Sequence, residues 1–208
     1  SCDFSVTTAA IGPPVESYVQ DPGNIEILFC PKDRCEEKLI EFLNTAEESI
    51  HCALFDIGLP SVQEVLRKKA KQIEVQVVTD DQYIHKFSEP FVKKDRWGLQ
   101  HNKFCIIDQK SVSTGSTNPT ENGVSKNNNN LLIINSTILA YNYEAEFQEM
   151  WNGTFKGGKR VSNPKIKLQD IIIENYFCPE DYCALRVKNE LRKAKESIFF
   201  MLFAFTHE

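Results

Sequence analysis

The sequence predicts an α/β protein, a mixed sheet flanked by helices, present as one complete unit and the opening of a second, pseudo-symmetric copy. Three observations predict this. Short apolar runs of strand length alternate with amphipathic stretches of helical period. Residues 25–57 recur as residues 173–205 at a constant offset of 148, with no gap and about 14 of 33 positions identical. The 208 residues are 41% hydrophobic, the composition of an ordinary globular chain, and no apolar run approaches the ~20 residues that span a bilayer.

Residues 1–24, which open Ser1-Cys2 and are rich in Thr, Ala, Pro and Gly, read as an irregular arm. Ile25–Phe29 is a strand. A helix follows from about Asp33 to Ala46, with Asp33 and Glu36 spaced as a capping box and Leu39, Ile40, Leu43 and Ala46 as its apolar face. Ile50–Ile57 is apolar almost throughout, as a strand covered on both faces should be. Ser61-x-x-Glu64 opens a second helix reaching about Lys71, and Ile73–Val78 is the next strand. Lys103–Asp108 and Ser111–Thr114 read as paired strands around Gln109-Lys110. Leu131–Ile134 is another strand, and Ile138–Trp151 an amphipathic helix.

These elements form a first unit over 25–158. Residues 159–172, basic and broken by Gly and Pro, read as a linker, and 173–208 as the start of the second unit, ending in a strand over Ile198–Phe205. The second copy of His101 would fall near position 249. The apolar edge of that last strand leads to the expectation that further chain follows.

The chemistry concentrates in residues 99–123, LQHNKFCIIDQKSVSTGSTNPTENG. His101, Lys103 and Asp108 stand as H-x-K-x4-D, and Gly115-Ser116-x-Asn118 follows after six residues. Imidazole is largely neutral near pH 7 and can attack phosphorus, and an ammonium can pair with a non-bridging phosphate oxygen. On a strand, Lys103 shares a face with His101, and Ser116 shares one with Asn118. Gly115 permits close approach of the backbone. Asp108, at odd spacing from His101, reads as a brace of the fold. His51, His85 and His207 lack such company and read as structural or solvated.

H-x-K-x4-D-x6-G-S-x-N, in this α/β setting and followed by the YEAEFQEMW helix, resembles the phospholipase D superfamily, in particular its smaller, nuclease-like members. The resemblance covers most of 25–158 and restarts at 173. It implies a phosphodiesterase acting through a phosphohistidine. Two H-x-K sets face each other across a pseudo-twofold axis, one histidine attacking and the other protonating the leaving oxygen. Catalytic roles fall to His101, Lys103, Ser116 and Asn118, with Asp108, Gly115 and Asn129 in support. The second set would come from a missing C-terminal portion or a partner chain. No metal or other cofactor is implied, since protein cations neutralise the phosphate. Family members often place a carboxylate where this chain has the run Asn127–Asn130, so here only an amide is at hand to orient the ring.

Two substrate classes stay open. A nucleic-acid backbone needs a cationic groove, for which Lys86, Lys93, Lys94 and Arg96, with Trp97 as a stacking face, are candidates; a solvated basic loop is the plainer reading. The net charge of −5 argues against a polybasic coat but permits a local basic groove. A phospholipid substrate needs an apolar entry, and only HKFSEPF offers one. A non-catalytic phosphate-binding module is the third reading. The pairs Cys30-x4-Cys35 and Cys178-x4-Cys183 admit two local disulfides, one four-cysteine zinc site, or reduced packing thiols. Cys52 and Cys105, in apolar strands, read as buried thiols. Two N-x-T sequons, at Asn135 and Asn152, lean with the cysteines towards an exported or membrane-anchored, oxidising setting.

Overall fold

The computed structural model describes residues 17–96, 98–202 and 204. Most of the N-terminal arm, Trp97 with its stacking face, His207 and the last residues of the second repeat lie outside them.

A seven-stranded mixed sheet forms the centre. Its strands are β2 (Asn24–Phe29), β3 (Ser49–Leu54), β4 (Glu74–Thr79), β5 (Val92–Lys94), β6 (Lys103–Ile107), β7 (Ser111–Gly115) and β8 (Asn130–Asn135), in the spatial order β2-β8-β7-β6-β3-β4-β5. Strands β3, β4 and β5 run parallel, and every other pairing is antiparallel. β3 lies between β4 and β6 and is buried at all six positions. This explains its unbroken apolar sequence.

Two cores lie on either face. Helices α1 (Cys35–Asn44) and α2 (Pro60–Lys69) close the first, with Leu39, Phe42, Leu43, Val62 and Leu66 packed on Ile50, Cys52, Val77 and Cys105. Helix α4 (Thr137–Trp151) closes the second, with Leu139, Phe147 and Met150 on Ala53, Phe104 and Ile106. Alternate residues of β3 and β6 feed opposite cores, as the two-residue period of a strand requires. A short helix, α3 (Glu121–Ser125), is capped by Thr120, whose side chain accepts from Gly123 N–H. No helix among the described residues is long and apolar enough to cross a membrane.

Several local expectations are corrected. The Asp33/Glu36 capping box does not form. The Asp33 carboxylate instead accepts the Phe29 N–H at 2.7 Å, and Glu36 accepts the Ser61 hydroxyl at 2.5 Å. The arm and the linker contribute strands β1 (Val19–Asp21) and β9 (Lys165–Leu168), which with β10 (Ile171–Glu174) make a second, three-stranded sheet. Ile166 and Leu168 are the reason: they alternate into the second core and are fully buried there. The expected strand at Ile198–Phe205 is absent among its described residues, and Phe199 and Met201 are about 90% exposed (92% and 90%). Its counterpart β3 is held between two neighbours; here no described strand pairs with the segment, and an apolar run alone does not make a strand.

The two repeats nonetheless share a local geometry. Arg34 and Tyr182 both adopt left-handed backbone just before a helix, α1 and α5 (Cys183–Lys193) respectively. Asp181 repeats the Asp33 contact, accepting the Phe177 N–H at 2.9 Å. Cys30–Cys35 and Cys178–Cys183 each close a disulfide over their own turn, with Cα separations of 5.7 and 5.8 Å. Each pair closing on itself removes the four-cysteine zinc reading. Cys52 and Cys105 are corrected from thiols to a third disulfide. They face each other in the β3–β6 ladder with Cα atoms 4.1 Å apart, close enough to join.

Candidate active site

One end of the central sheet gathers the functional residues. The β6–β7 hairpin turns through Asp108 and Gln109, both at φ 51°, so the start of β6 lies beside the end of β7. The parallel strands β3 and β4 end there too. Lys103, Gly115, Phe55 and Asp80 therefore meet at one edge, with His101 just before β6 and Ser116–Asn118 just after β7.

His101 stands on a segment held from below. Gln100, buried, donates from its amide to Val78 O at 3.0 Å and accepts the Asn102 N–H at 2.6 Å. Its own N–H reaches Asp80 Oδ2 at 3.1 Å. The His101 ring meets Phe55 edge-on, centroids 4.6 Å apart at 65°. The Lys103 ammonium bends back to the His101 carbonyl at 2.7 Å and lies 5.1 Å from the Phe55 ring centre. His101 is exposed overall, yet desolvation of its covered side lowers its pKa below the usual histidine value. The Lys103 charge adds to this, and Asp80 partly offsets it. Burial also pushes the Lys103 pKa down to about 8.

Ser116 is bound to β8. Its hydroxyl accepts the Asn130 N–H at 3.0 Å and donates to Asn129 Oδ1 at 3.1 Å, and Asn129 in turn donates to the Gly123 carbonyl at 2.9 Å. The amide at 129 is used at both ends, which a carboxylate could not do. Thr117, buried, donates to the Asn130 carbonyl at 2.7 Å and touches Cys30 Sγ at 3.2 Å. Asn118 Oδ1 is buried without a partner among the described residues. Gly115, at φ 136°, has no room for a Cβ against the Asn130 carbonyl. Asp108 is outside the site. Its carboxylate accepts the N–H groups of Glu47, Glu48 and Ser49, and although burial works against it, these donors lower its pKa.

Of the groove candidates, Lys86 is committed to Asp56 at 2.7 Å and Lys93 lies 3.7 Å over the Trp151 ring. Lys93, Lys94 and Arg96 nevertheless line a cleft of about 580 Å³ with Trp151 and Phe155, and no carboxylate among the described residues lines it. A smaller cleft of about 240 Å³ shares Met150 and Phe155 with it, includes Gln100 and Asn102, the sequence neighbours of His101, and is bordered by the carboxylates of Asp95 and Glu146. His51 is structural, buried against Phe147 and 2.9 Å from Glu144. Phe55, Gln100 and Thr117 were not singled out for the site by residue type. The available signal was the repeat, which pairs Phe55 with Phe203.

Residues 39–151, more than half of the chain, match the family described as cardiolipin synthase, PLD-like domain. The chain belongs to the phospholipase D superfamily. Among curated phospholipase D relatives, the mitochondrial cardiolipin hydrolase of Xenopus tropicalis is 28% identical over 136 residues, 59% of this chain and 65% of that protein. The phospholipase D of Rickettsia prowazekii is 27% identical over 132 residues, 58% of this chain and 64% of that protein. The chain thus spans just under two thirds of the length of these relatives. Two solved structures share the fold. Nuc, a phospholipase D family member from Salmonella typhimurium, superposes with a TM-score of 0.55 at 21% identity, over 63% of this chain and 95% of Nuc. NucT from Helicobacter pylori superposes with 0.57 at 21%, over 63% and 97%. The superfamily's central mixed sheet with flanking helices is the architecture found here.

Proposed function

We propose that this protein is a metal-independent phosphodiesterase in which His101 is the nucleophile and Lys103 neutralises the phosphate. The observation that carries it is the pairing of a neutral-leaning imidazole and a cation on one apolar ring at the sheet edge. His101 attacks phosphorus, an N–P bond forms, and the P–O bond to the leaving alcohol breaks. The leaving oxygen takes its proton from a second histidine. Water, deprotonated by that second histidine, then attacks phosphorus, breaks the N–P bond and frees His101. Lys103 and the neighbouring donors carry the charge that develops on the phosphate oxygens.

The second histidine belongs to a second H-x-K unit, continuing this chain or on a partner. Repeat symmetry supports its position. Phe177 of the second repeat is buried against Tyr143 of α4, centroids 5.0 Å apart, while its equivalent Phe29 is 61% exposed. A second unit placed by the same symmetry would cover Phe29 with its own copy of α4.

A nucleic-acid backbone is the substrate class favoured, on the strength of the cations Lys93, Lys94 and Arg96, which line one cleft with the Trp151 ring. The second reading is a phospholipid, favoured by the relatives called cardiolipin hydrolase and phospholipase D. The test is cleavage of a generic aryl phosphodiester in chelator, with acid-quench trapping of a phosphohistidine. Loss of both on His101→Ala is expected; retention of turnover by His101→Ala and Lys103→Ala refutes the assignment. Single-stranded DNA and cardiolipin vesicles, each across a salt series, then separate the two substrate classes.

A further inference from the structure

Phe55 stands apart from its neighbours in β3 and the loop that follows. Leu54 and Ile57 belong to the first core and Ala53 to the second, but Phe55 belongs to neither. Its ring is only half-buried, and what it meets is the site. One side is against the edge of His101, 4.6 Å between centroids at 65°. The Lys103 ammonium lies 5.1 Å from its centre, and Tyr83 closes another side at 4.8 Å and 71°. Its main chain is fixed independently of the ring. The Phe55 N–H donates to the carbonyl of Asn102, between the two motif residues, at 2.9 Å, and its carbonyl accepts the Thr79 hydroxyl at 3.2 Å.

An aromatic ring offers a negative face to a cation and a directional contact to a second ring. A flexible lysine and a histidine on an extended segment otherwise have several rotamers each. We propose that Phe55 is a positioning residue of this site, its ring being the shared surface that fixes the His101 imidazole and the Lys103 side chain relative to each other. The proposal rests on the phosphodiesterase reading for its kinetic consequence, but not for its structural one. Phe55 does not touch the reacting atoms; it acts by limiting the orientations of the two groups that do.

The experiment compares Phe55→Leu, Phe55→Ala and Phe55→Tyr with the wild-type chain. The His101 ring resonances, assigned by their loss in His101→Ala, are followed by NMR against pH, and turnover of the aryl phosphodiester is measured in parallel. Phe55→Ala is expected to move the His101 titration upwards, because the side of the ring that Phe55 covers then becomes hydrated, and Phe55→Leu to broaden the resonances over several orientations. Both should lower kcat roughly ten- to hundredfold with little change in KM, the expected cost of a misplaced reacting group. Phe55→Tyr, which keeps the ring, should restore both readouts. Folded Leu and Ala variants with the wild-type titration, line shape and kcat overturn the proposal, as does a loss confined to KM or thermal stability. If His101→Ala is as active as wild type, the phosphodiesterase reading fails, and the ring titration still decides the role of Phe55.

Discussion

Lys103 should make activity fall on the alkaline side well before an ordinary lysine would. Its ammonium is partly buried beside Phe55, faces no carboxylate within ion-pair distance among the described residues, and has its pKa pushed down to about 8 by that burial. At pH 9 roughly 10% of such a group remains charged, whereas an unperturbed lysine keeps more than about 95%. If the cation neutralises phosphate, kcat/KM should drop roughly tenfold between pH 7 and pH 9. Lys103→Arg keeps its charge at every pH used. It should be slower at pH 7, because its planar fork differs from an ammonium, but should show no alkaline limb. The side chain can be followed separately by 13C NMR of ε-labelled lysine, with Lys103→Arg identifying the resonance. Stability runs the other way. The folded pKa lies below the unfolded one, so between about 8 and 10.4 the unfolded state binds more protons, and raising pH favours the fold. A titration midpoint above about 9.5, or an alkaline limb that survives in Lys103→Arg, refutes the reasoning.

Four further outcomes are expected. Asp108→Ala strands the nearly buried Ser49 N–H and two exposed ones, costing about 2–3 kcal/mol by chemical denaturation. Because the folded Asp108 pKa is depressed, that contribution is present above the unfolded value and is lost as pH falls through the folded one, so the two proteins should converge in stability in acid. Replacing Cys52 and Cys105 together by alanine opens a 53-residue span and should cost about 4 kcal/mol, roughly 10 °C in Tm by calorimetry. Phe29→Asp should change monomer stability by less than about 0.5 kcal/mol, since the ring is exposed, yet reduce turnover by blocking the second unit; unchanged turnover counts against the proposed docking. Glu146, within 4.8 Å of Glu149 and Glu180, has its pKa raised to about 8 by burial and by those charges, so stability should decline as pH rises towards 8, and Glu146→Gln should raise Tm at pH 8.5 but not at pH 5.

What was legible in the sequence was what local pattern controls. β3 declares itself because both faces are covered, and α4 because Leu139, Phe147 and Met150 recur on one side. The H-x-K and G-S-x-N segments are legible because their spacing fits the two arms of one hairpin. What was hidden depends on long-range partners. β9 has only four residues, and its parallel partner β1 comes from the other end of the chain, with Val19 opposite Ile166. The Cys52–Cys105 bond needs the β3–β6 register, which places residues 53 apart opposite each other. Phe55 reads as one more residue inside the apolar run Ile50–Ile57, and only its absence from both cores separates it from Leu54.

The electrostatics of His101 bear on how labour divides between two half-sites. A carboxylate hydrogen-bonded to the ring would raise its pKa and favour the imidazolium, the form suited to giving a proton. Here the ring meets Phe55, the Lys103 cation acts against its protonation, and Asn129 turns its amide to Ser116 and the Gly123 carbonyl. Asp80 is the one carboxylate that acts on the ring, and both its oxygens already accept backbone N–H groups, from Gln82 and Gln100. Desolvation and the Lys103 charge disfavour the protonated ring, and Asp80 offsets them only in part. A lowered pKa suits an imidazole to attack better than to proton donation, and on the proposed mechanism the proton for the leaving oxygen comes from the second histidine.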